Sequence, residues 1–422
     1  MRGALVLVLL AACGDGATMP DAPAPPPDGD FGLVRVQYKG GVPEGNVVMF
    51  QNADGSTVLV TRTDADGEAN AYMSAGGMAT IVGANGNLNL LYTWMGVQPG
   101  DQLVLDRRAF SDVPFDRAYQ ISMPVSPGAD SYQLLTACGA FVIPPSEEPP
   151  EIVVDLRRCN ERTDMLVLPG PDFKTSYLHV ADVPLTAIGI ALGGTYRPLD
   201  RAVVNVSGGP AGSTRAFARQ SLIAQHAELY RSPSVGLTLA GGLGQLVHRV
   251  PLPAASTLMT TVQFVAPEGA IGTHVATAWS TAKETTPIEV AATRLREYTS
   301  RPVFDPLSHR VTWSEASAGA IGDAVLLQID WFRPGIGENY RWQVLARRGA
   351  DPVIQLPMLP GRDFAPREGD TIVQPTTFAS IAIEGGYDRI RAALLGRWIP
   401  GDVWPIDSPA GSVIYEALAS PF

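Results

Sequence analysis

The chain has 422 residues, a formal net charge of −11 and 45% hydrophobic residues. An acidic balance of that size excludes the basic face that a nucleic-acid partner requires, while the hydrophobic content is enough for several cores. Lys39, Lys174 and Lys283 are the only lysines among 31 basic residues, beside 43 Gly and 36 Pro, a composition expected of GC-rich coding rather than of phosphate binding.

Arg2 and the apolar run "ALVLVLL" (4–10) precede "LAAC", Leu10 to Cys13. A positive start, a short apolar stretch and small residues form a signal peptide. Ala4 to Ala12 is far shorter than the roughly 20 residues of a spanning helix. "LAAC" resembles the lipobox of bacterial lipoproteins at every position. The resemblance implies a diacylglyceryl group on the Cys13 thiol, cleavage before Cys13 and acylation of the new amine. Gly14 in place of Asp implies sorting to the outer membrane. The alternative is an ordinary secretory signal with a chance cysteine. Residues 1–12 are thus expected as signal peptide and 13–30 as lipidated cysteine and tether. "GDGATMPDAPAPPPDGD" (14–30) has no apolar period and reads as an extended linker.

Residues 31–100 show strand signals throughout. In "LVRVQY" (33–38), Val34, Val36 and Tyr38 share one face, and "NVVMF", "STVLVTRT", "EANAYM" and "MATIV" follow between Gly, Asp and Asn. Short alternating runs divided by turn residues indicate a sandwich or barrel. Asp64, Asp66 and Glu68 alternate around Gly67 in "TDADGE" as in a calcium loop, but the position twelve residues along from Asp64 is Ala75, not an acid. The expectation is a metal-free hairpin turn between "VLVTRT" and "EANAYM", since Asp-Gly between strands supplies the φ > 0 that a tight turn needs. A second Asp-Gly turn, "ADGS", spans 53–56. Residues 31–84 resemble the carboxypeptidase-regulatory-like and bacterial Ig-like modules, in which a "TD-x-x-G" hairpin follows a strand. That resemblance implies a seven-strand sandwich without catalytic residues.

Residues 101–300 continue in strands as one or more central domains. Leu258, Val262 and Phe264 of "STLMTTVQFV" share a face. "FARQSLIAQHAELY" (217–230) fits either a helix, with Leu222, His226 and Leu229 in register, or a strand pair. Setting Cys13 aside leaves Cys138 and Cys159, which an oxidising envelope would pair. The closed loop would contribute about 3 kcal/mol. Two free thiols or a metal pair are the alternatives. Asp101, Asp106, Asp112 and Asp116 bunch in "GDQLVLDRRAFSDVPFD", where Arg107, Arg108 and Arg117 interleave, so a solvated linker is expected rather than a calcium site.

Residues 301–422 read as a C-terminal sandwich. Two echoes suggest related units: "LVLPGPDF" (166–173) with "PMLPGRDF" (357–364), and "PGDQLVLD" (99–106) with "EGDTIVQP" (368–375). They favour two copies of a similar sandwich over a propeller. Trp398 and Trp404 flank "IPGD" in "GRWIPGDVWPID", with Asp402 between them. These three are the candidate ligand-binding residues, as rings that stack on sugars beside a carboxylate. Trp331 and Trp342 flank another turn. The opposing expectation for all four indoles is core filling.

No HExxH, GxSxG, GxxxxGK[ST] or CxxC occurs, and His179, His226, His248, His274 and His309 have no ligand spacing. No catalytic residue, metal or cofactor is expected. The expected fold is all-β, with tandem Ig-like or transthyretin-like sandwiches. The expected function is a lipid-anchored envelope protein, non-catalytic, for interaction, adhesion or structure. A glycan-binding or enzyme-accessory lipoprotein is the alternative, with an envelope polysaccharide or protein as partner. An unrecognised hydrolase comes last.

Overall fold

The computed structural model describes residues 31–419 except 40–42, 86–87, 107–117, 137–138, 144–149, 155, 157–161, 171–172, 187, 225–226, 254–255, 267–270, 282–286, 292–294, 361–363 and 394–409. Its strands fall into four sandwiches. The first contains β1 (Phe31–Lys39), β2 (Val47–Gln51), β3 (Thr57–Arg62), β4 (Glu68–Ser74), β5 (Gly77–Asn85), β6 (Leu88–Val97) and β7 (Gln102–Asp106). Strand order is β4-β1-β7 in one layer and β3-β2-β5-β6 in the other, with β1 antiparallel to β4 and parallel to β7.

The second contains β8 (Tyr119–Ser122), β9 (Tyr132–Thr136), β10 (Gly139–Ile143), β11 (Glu151–Val154), β12 (Arg162–Pro169), β13 (Ser176–Pro184) and β14 (Gly189–Ala191), with β15 (Arg197–Pro198) added to β13. Its orders are β11-β8-β14 and β10-β9-β12-β13. The third contains β16 (Asp200–Ser207), β17 (Arg215–Ala224), β18 (Ala227–Arg231), β19 (Val235–Thr238), β20 (Gly244–Val250), β21 (Thr257–Phe264), β22 (Thr273–Thr281) and β23 (Ile288–Ala291). Its orders are β20-β16-β23 and β19-β17-β21-β22, with β18 beside β19 on the edge of β17. The fourth contains β24 (Val303–Asp305), β25 (Arg310–Thr312), β26 (Ala324–Arg333), β27 (Glu338–Arg347), β28 (Val353–Gln355), β29 (Thr371–Ile383), helix α1 (Gly386–Ala393) and β30 (Val413–Ala419). Its orders are β28-β25-β24 and β27-β26-β29-β30.

One topology therefore recurs in the first three units, and in the fourth with one strand replaced. The parallel pairs β1–β7, β8–β14 and β16–β23 occupy the same place in the first three units. In the fourth, β24 precedes its neighbour β25 in the chain and so runs antiparallel in that place. The larger layers of the first, third and fourth units are one hydrogen-bonded sheet of thirteen strands. β22 meets β30 antiparallel, and β27 meets β6 in parallel. The expected limits at residues 100 and 300 are thus not limits of hydrogen bonding. β7 belongs to the first sandwich, and 101–300 holds two further ones.

Alternation builds the cores. Val34, Val36 and Tyr38 lie in the first core, and Leu258, Val262 and Phe264 in the third. In β26 both faces are buried. Val325, Leu327 and Ile329 belong to the fourth core, while Ala324 and Leu326 join the apolar cluster of the first unit. A strand covered on both sides reads as a continuous apolar run, as "AVLL" does. Leu135, Leu166 and Tyr177 of the second unit pack into the cluster of the third.

Residues 217–224 and 227–230 lie in the paired strands β17 and β18 and not in a helix; among the described residues the helix is α1. Among the described residues no helix is long and apolar enough to cross a membrane.

"TDADG" is a turn, but it closes no hairpin. β3 pairs with β2 and β4 pairs with β1, so the turn carries the chain from one layer to the other. Asp64 Oδ1 accepts hydrogen bonds from the backbone N–H of Asp66 (3.0 Å) and Glu68 (2.8 Å). The hairpin is the other Asp-Gly turn, "ADGS", between the paired β2 and β3.

Gly67 has φ 78°, and a Cβ there would lie 2.2 Å from the Tyr38 carbonyl oxygen. Gly67→Val is expected to cost about 2–5 kcal/mol, joining the left-handed penalty to steric overpacking. The exposed Asp66→Asn should stay within about 0.5 kcal/mol. Urea denaturation of both variants checks this, and similar losses in the two would refute it. Addition of EDTA or calcium should leave the midpoint unmoved.

Candidate functional site: the junction of the first and fourth sandwiches

The join between β27 and β6 is crossed by side-chain hydrogen bonds as well as by backbone pairing. Seven residues of each strand run in parallel register, from Asn339↔Leu88 to Leu345↔Trp94. Trp342 Nε1 donates to Thr93 Oγ1 at 2.8 Å, and Thr93 Oγ1 lies 2.7 Å from Thr80 Oγ1, all three residues being buried. At the start of the join, Asn89 Nδ2 donates to Glu338 Oε2 (2.9 Å), and elsewhere between the two units Gln51 Nε2 of β2 donates to the Met358 carbonyl (2.8 Å).

Helix α1 locks the same join from one side. Gly385 (φ 90°) and Gly386 (φ 67°) turn the chain out of β29, and Asp388 and Arg391 sit in the first and last turns. These placements suit the helix dipole. Tyr387 and Ile390, three apart on one face, bury into the cluster of the first unit. The Tyr387 hydroxyl donates to the Met95 carbonyl of β6. Arg391 Nη1 donates to the Gly96 carbonyl (2.7 Å), and Arg391 bridges Asp101 at 2.9 Å. An element of the fourth sandwich thus grips the β6–β7 turn of the first.

A groove of about 550 Å³ opens beside this clamp. The β2–β3 turn with Asp54, Met78 and Met95 line one side; Arg347, Ile354 and Met358 line the other. Its two charges already have partners. The Ser56 hydroxyl, then its backbone N–H, hold the Asp54 carboxyl below the usual range. Arg347 pairs with Asp388 (3.1 Å) and lies over the Tyr387 ring. The groove offers thioethers and backbone polar groups, with neither nucleophile nor free base.

Cys13, Cys138, Cys159, Trp398, Asp402 and Trp404 lie outside the described residues, as do Asp112 and Asp116. Asp106 ends β7. Asp101 pairs with Arg391, while Arg107, Arg108 and Arg117 lie outside the described residues. Trp331 and Trp342 are 1% and 0% exposed and pack against each other edge-on, so neither forms a sugar platform. Among the described residues no three His, Cys, Asp or Glu side chains gather to hold a metal ion.

Other titratable groups serve the interior. His179 Nε2 lies 3.3 Å from Asp164 Oδ2, which also belongs to a carboxylate accepting from the Asp182 N–H (2.8 Å). Tyr177 donates to Asp200 (2.8 Å) and accepts from Arg197 (2.6 Å); burial, then Asp200, pushes its phenol up to about 12, so it remains a donor. His248 is buried, with Nδ1 3.5 Å from Ser232 Oγ. Sequence spacing does not bring these pairs together; the register of strands does.

Burial lowers the pKa of both His179, against the pull of Asp164, and His248 from the usual 6.5. The folded chain therefore binds these protons less well than the unfolded chain. The stability that follows is present above about pH 6.5 and is lost as the pH falls through the depressed folded values. The melting temperature should fall between pH 7.5 and 5. His248→Gln should flatten part of that slope, and an unchanged slope would remove His248 from the account.

No protein-family model and no curated protein matches the chain. Among solved structures the chain is similar to the Bacillus anthracis TIE protein, at 9% identity and a TM-score of 0.16, covering 62% of this chain and 50% of that one. It is also similar to a Streptococcal ancillary pilin, at 9% identity and a TM-score of 0.17, covering 62% of this chain and 98% of that one. The chain spans about half the length of the TIE protein, and at these TM-scores neither likeness carries an argument.

Proposed function

We propose that the protein is a lipid-anchored component of a bacterial cell envelope whose tandem sandwiches form a non-catalytic structural and interaction scaffold. The observation that carries this reading is the sheet of thirteen strands shared by three sandwiches. Backbone pairing across both joins, with buried side-chain bonds across one of them, makes the units one stiff body instead of beads on a string. Arg391 and Asp101 add an ion pair across the join of the first and fourth units. The "LAAC" lipobox and the Pro-rich tether support the anchor. The seven strands of the first unit support the carboxypeptidase-regulatory-like resemblance, and Cys138 with Cys159 is proposed as a disulfide.

The test is metabolic labelling with an alkyne fatty acid in the native cells, followed by cross-linking of neighbours. The wild type should carry the label, stay with the outer membrane and give reproducible envelope adducts. Cys13→Ser should lose the label and leave the membrane. An unlabelled wild type would refute the anchor, and a labelled protein without adducts would refute the scaffold. Peptide mapping without reductant should recover Cys138 joined to Cys159.

A further inference from the structure

The long sheet ends on β3, and among the described residues only β2 pairs with it. The direction of its outer hydrogen-bonding groups follows from the ladder. The Thr63 N–H donates to the Asn46 carbonyl (2.9 Å), and the Thr63 carbonyl accepts from the Gly45 N–H (2.8 Å), so Thr63 faces β2. Antiparallel pairing alternates inward and outward residues. Thr61 and Leu59 therefore also face β2, while Val60 and Arg62 aim their N–H and C=O groups away from the sheet. Val60 is 48% exposed, and no proline lies in the strand.

Bare edges are normally blunted. The outer edge of β13 shows how this chain does so: β15 covers its start, Asp182 takes φ 54°, the ladder with β12 shifts register, and Pro184 ends the strand. From Leu59 to Arg62, β3 keeps an unbroken register and has none of these devices. β27, the strand at the corresponding position of the fourth sandwich, has its outer edge filled by β6 in parallel. The same kind of edge thus accepts a strand within the molecule.

Charge selects the occupant. Asp54 on the turn before β3 and Asp64 and Asp66 on the turn after it are all exposed. Arg62 is the one basic residue of the strand, and its guanidinium donates to the Gly45 carbonyl at 2.6 Å. A second copy would set like charges together, whereas a strand carrying lysine or arginine would meet opposite ones. We propose that the outer edge of β3 is a strand-addition site for an extended, basic segment of a partner protein. This deepens the scaffold reading by naming an interaction surface, and it does not depend on the lipid anchor.

The test uses the full-length chain and two short fluorescent peptides, one alternating lysine with valine and the other glutamate with valine. The lysine peptide should bind at least about tenfold more tightly, a gap of about 1.4 kcal/mol, and weaken with salt. It should also slow hydrogen exchange at the Val60 and Arg62 amides. Val60→Pro removes an outward N–H and leaves the ladder to β2 intact, as proline on an edge strand can. It should keep the melting temperature and lose the peptide. Should that variant not fold, Val60→Lys, at an exposed position, should fold and repel the lysine peptide. Equal binding of both peptides, or undiminished binding to either folded variant, would overturn the proposal. So would self-association that Val60→Pro abolishes, because the occupant would then be a second copy. Loss of fatty-acid labelling would bear on the anchor alone, and loss of envelope adducts on the scaffold.

Discussion

Arg333→Ala is expected to destabilise the protein by about 3–5 kcal/mol, the cost of leaving a buried charge without its partner. The side chains of Arg333 and Asp370 are each 2% exposed and meet at 2.9 Å. Two nitrogens of the guanidinium address the two carboxylate oxygens, a third donates to the Tyr340 hydroxyl at 3.3 Å, and Nη2 also reaches the Ala365 carbonyl at 2.8 Å. Tyr340 lies under the same guanidinium. Removing the arginine strips Asp370 of its counter-charge at the start of β29, where Asp370 Oδ2 also accepts from the Arg367 N–H. Arg333→Ala with Asp370→Ala should cost less than the sum of the singles, since neither charge is then stranded. Urea denaturation of the three variants measures this. A single-variant loss below about 1 kcal/mol, the worth of an exposed pair, would show that the site is wet and the clamp weak.

Trp342→Ala is expected to cost about 3–5 kcal/mol, and its effect should reach both sandwiches. The indole fills the fourth core at 0% exposure, and its N–H is bonded to Thr93 of the first unit. Trp342→Phe separates these contributions by keeping a ring and deleting the donor, at about 1–3 kcal/mol for a lost buried bond. Trp331 is the control. It is equally buried and stacks on Tyr340 at 5.0 Å, but its indole nitrogen has no hydrogen-bond partner among the described residues. Trp331→Phe should therefore cost less than Trp342→Phe, while the two alanine variants should be similar. The reverse order for the phenylalanine pair would remove the hydrogen bond from the account of the join. Hydrogen exchange should show Trp342→Ala loosening β6 together with β27, because their ladder lies over the cavity it leaves.

The echoes within the chain show how far local sequence carries. "PGDQLVLD" and "EGDTIVQP" do fold alike. Gly100 and Gly369 take φ 89° and 90°, Asp101 and Asp370 each cap their own turn, and each pairs with a distant arginine. Yet they precede β7, the last strand of the first unit, and β29, the sixth of seven strands in the fourth, so they are one turn used twice and not the mark of a repeat. The repeat of four sandwiches leaves no comparable echo, since a pattern of alternating apolar residues satisfies the same topology with many side chains. Helix α1 is illegible in the sequence for a related reason. Eight residues give little more than two turns, too few for a period to register.

What the sequence by itself determined is what neighbours along the chain decide. Alternation placed the strands and chose their buried faces, as with Val34, Val36 and Tyr38. Asp-Gly pairs placed turns at Gly55 and Gly67, where φ is positive. Only the tertiary structure decided that the turn at Gly67 crosses between layers, that β27 lies beside β6, that Arg391 grips Asp101, and that β3 pairs with β2 alone among the described residues. Strand partners are chosen by backbone N–H and C=O groups that every residue except proline carries alike. A strand's length and faces are therefore written in its side chains, while the identity of its neighbour emerges only when the cores on both sides of the sheet are filled together.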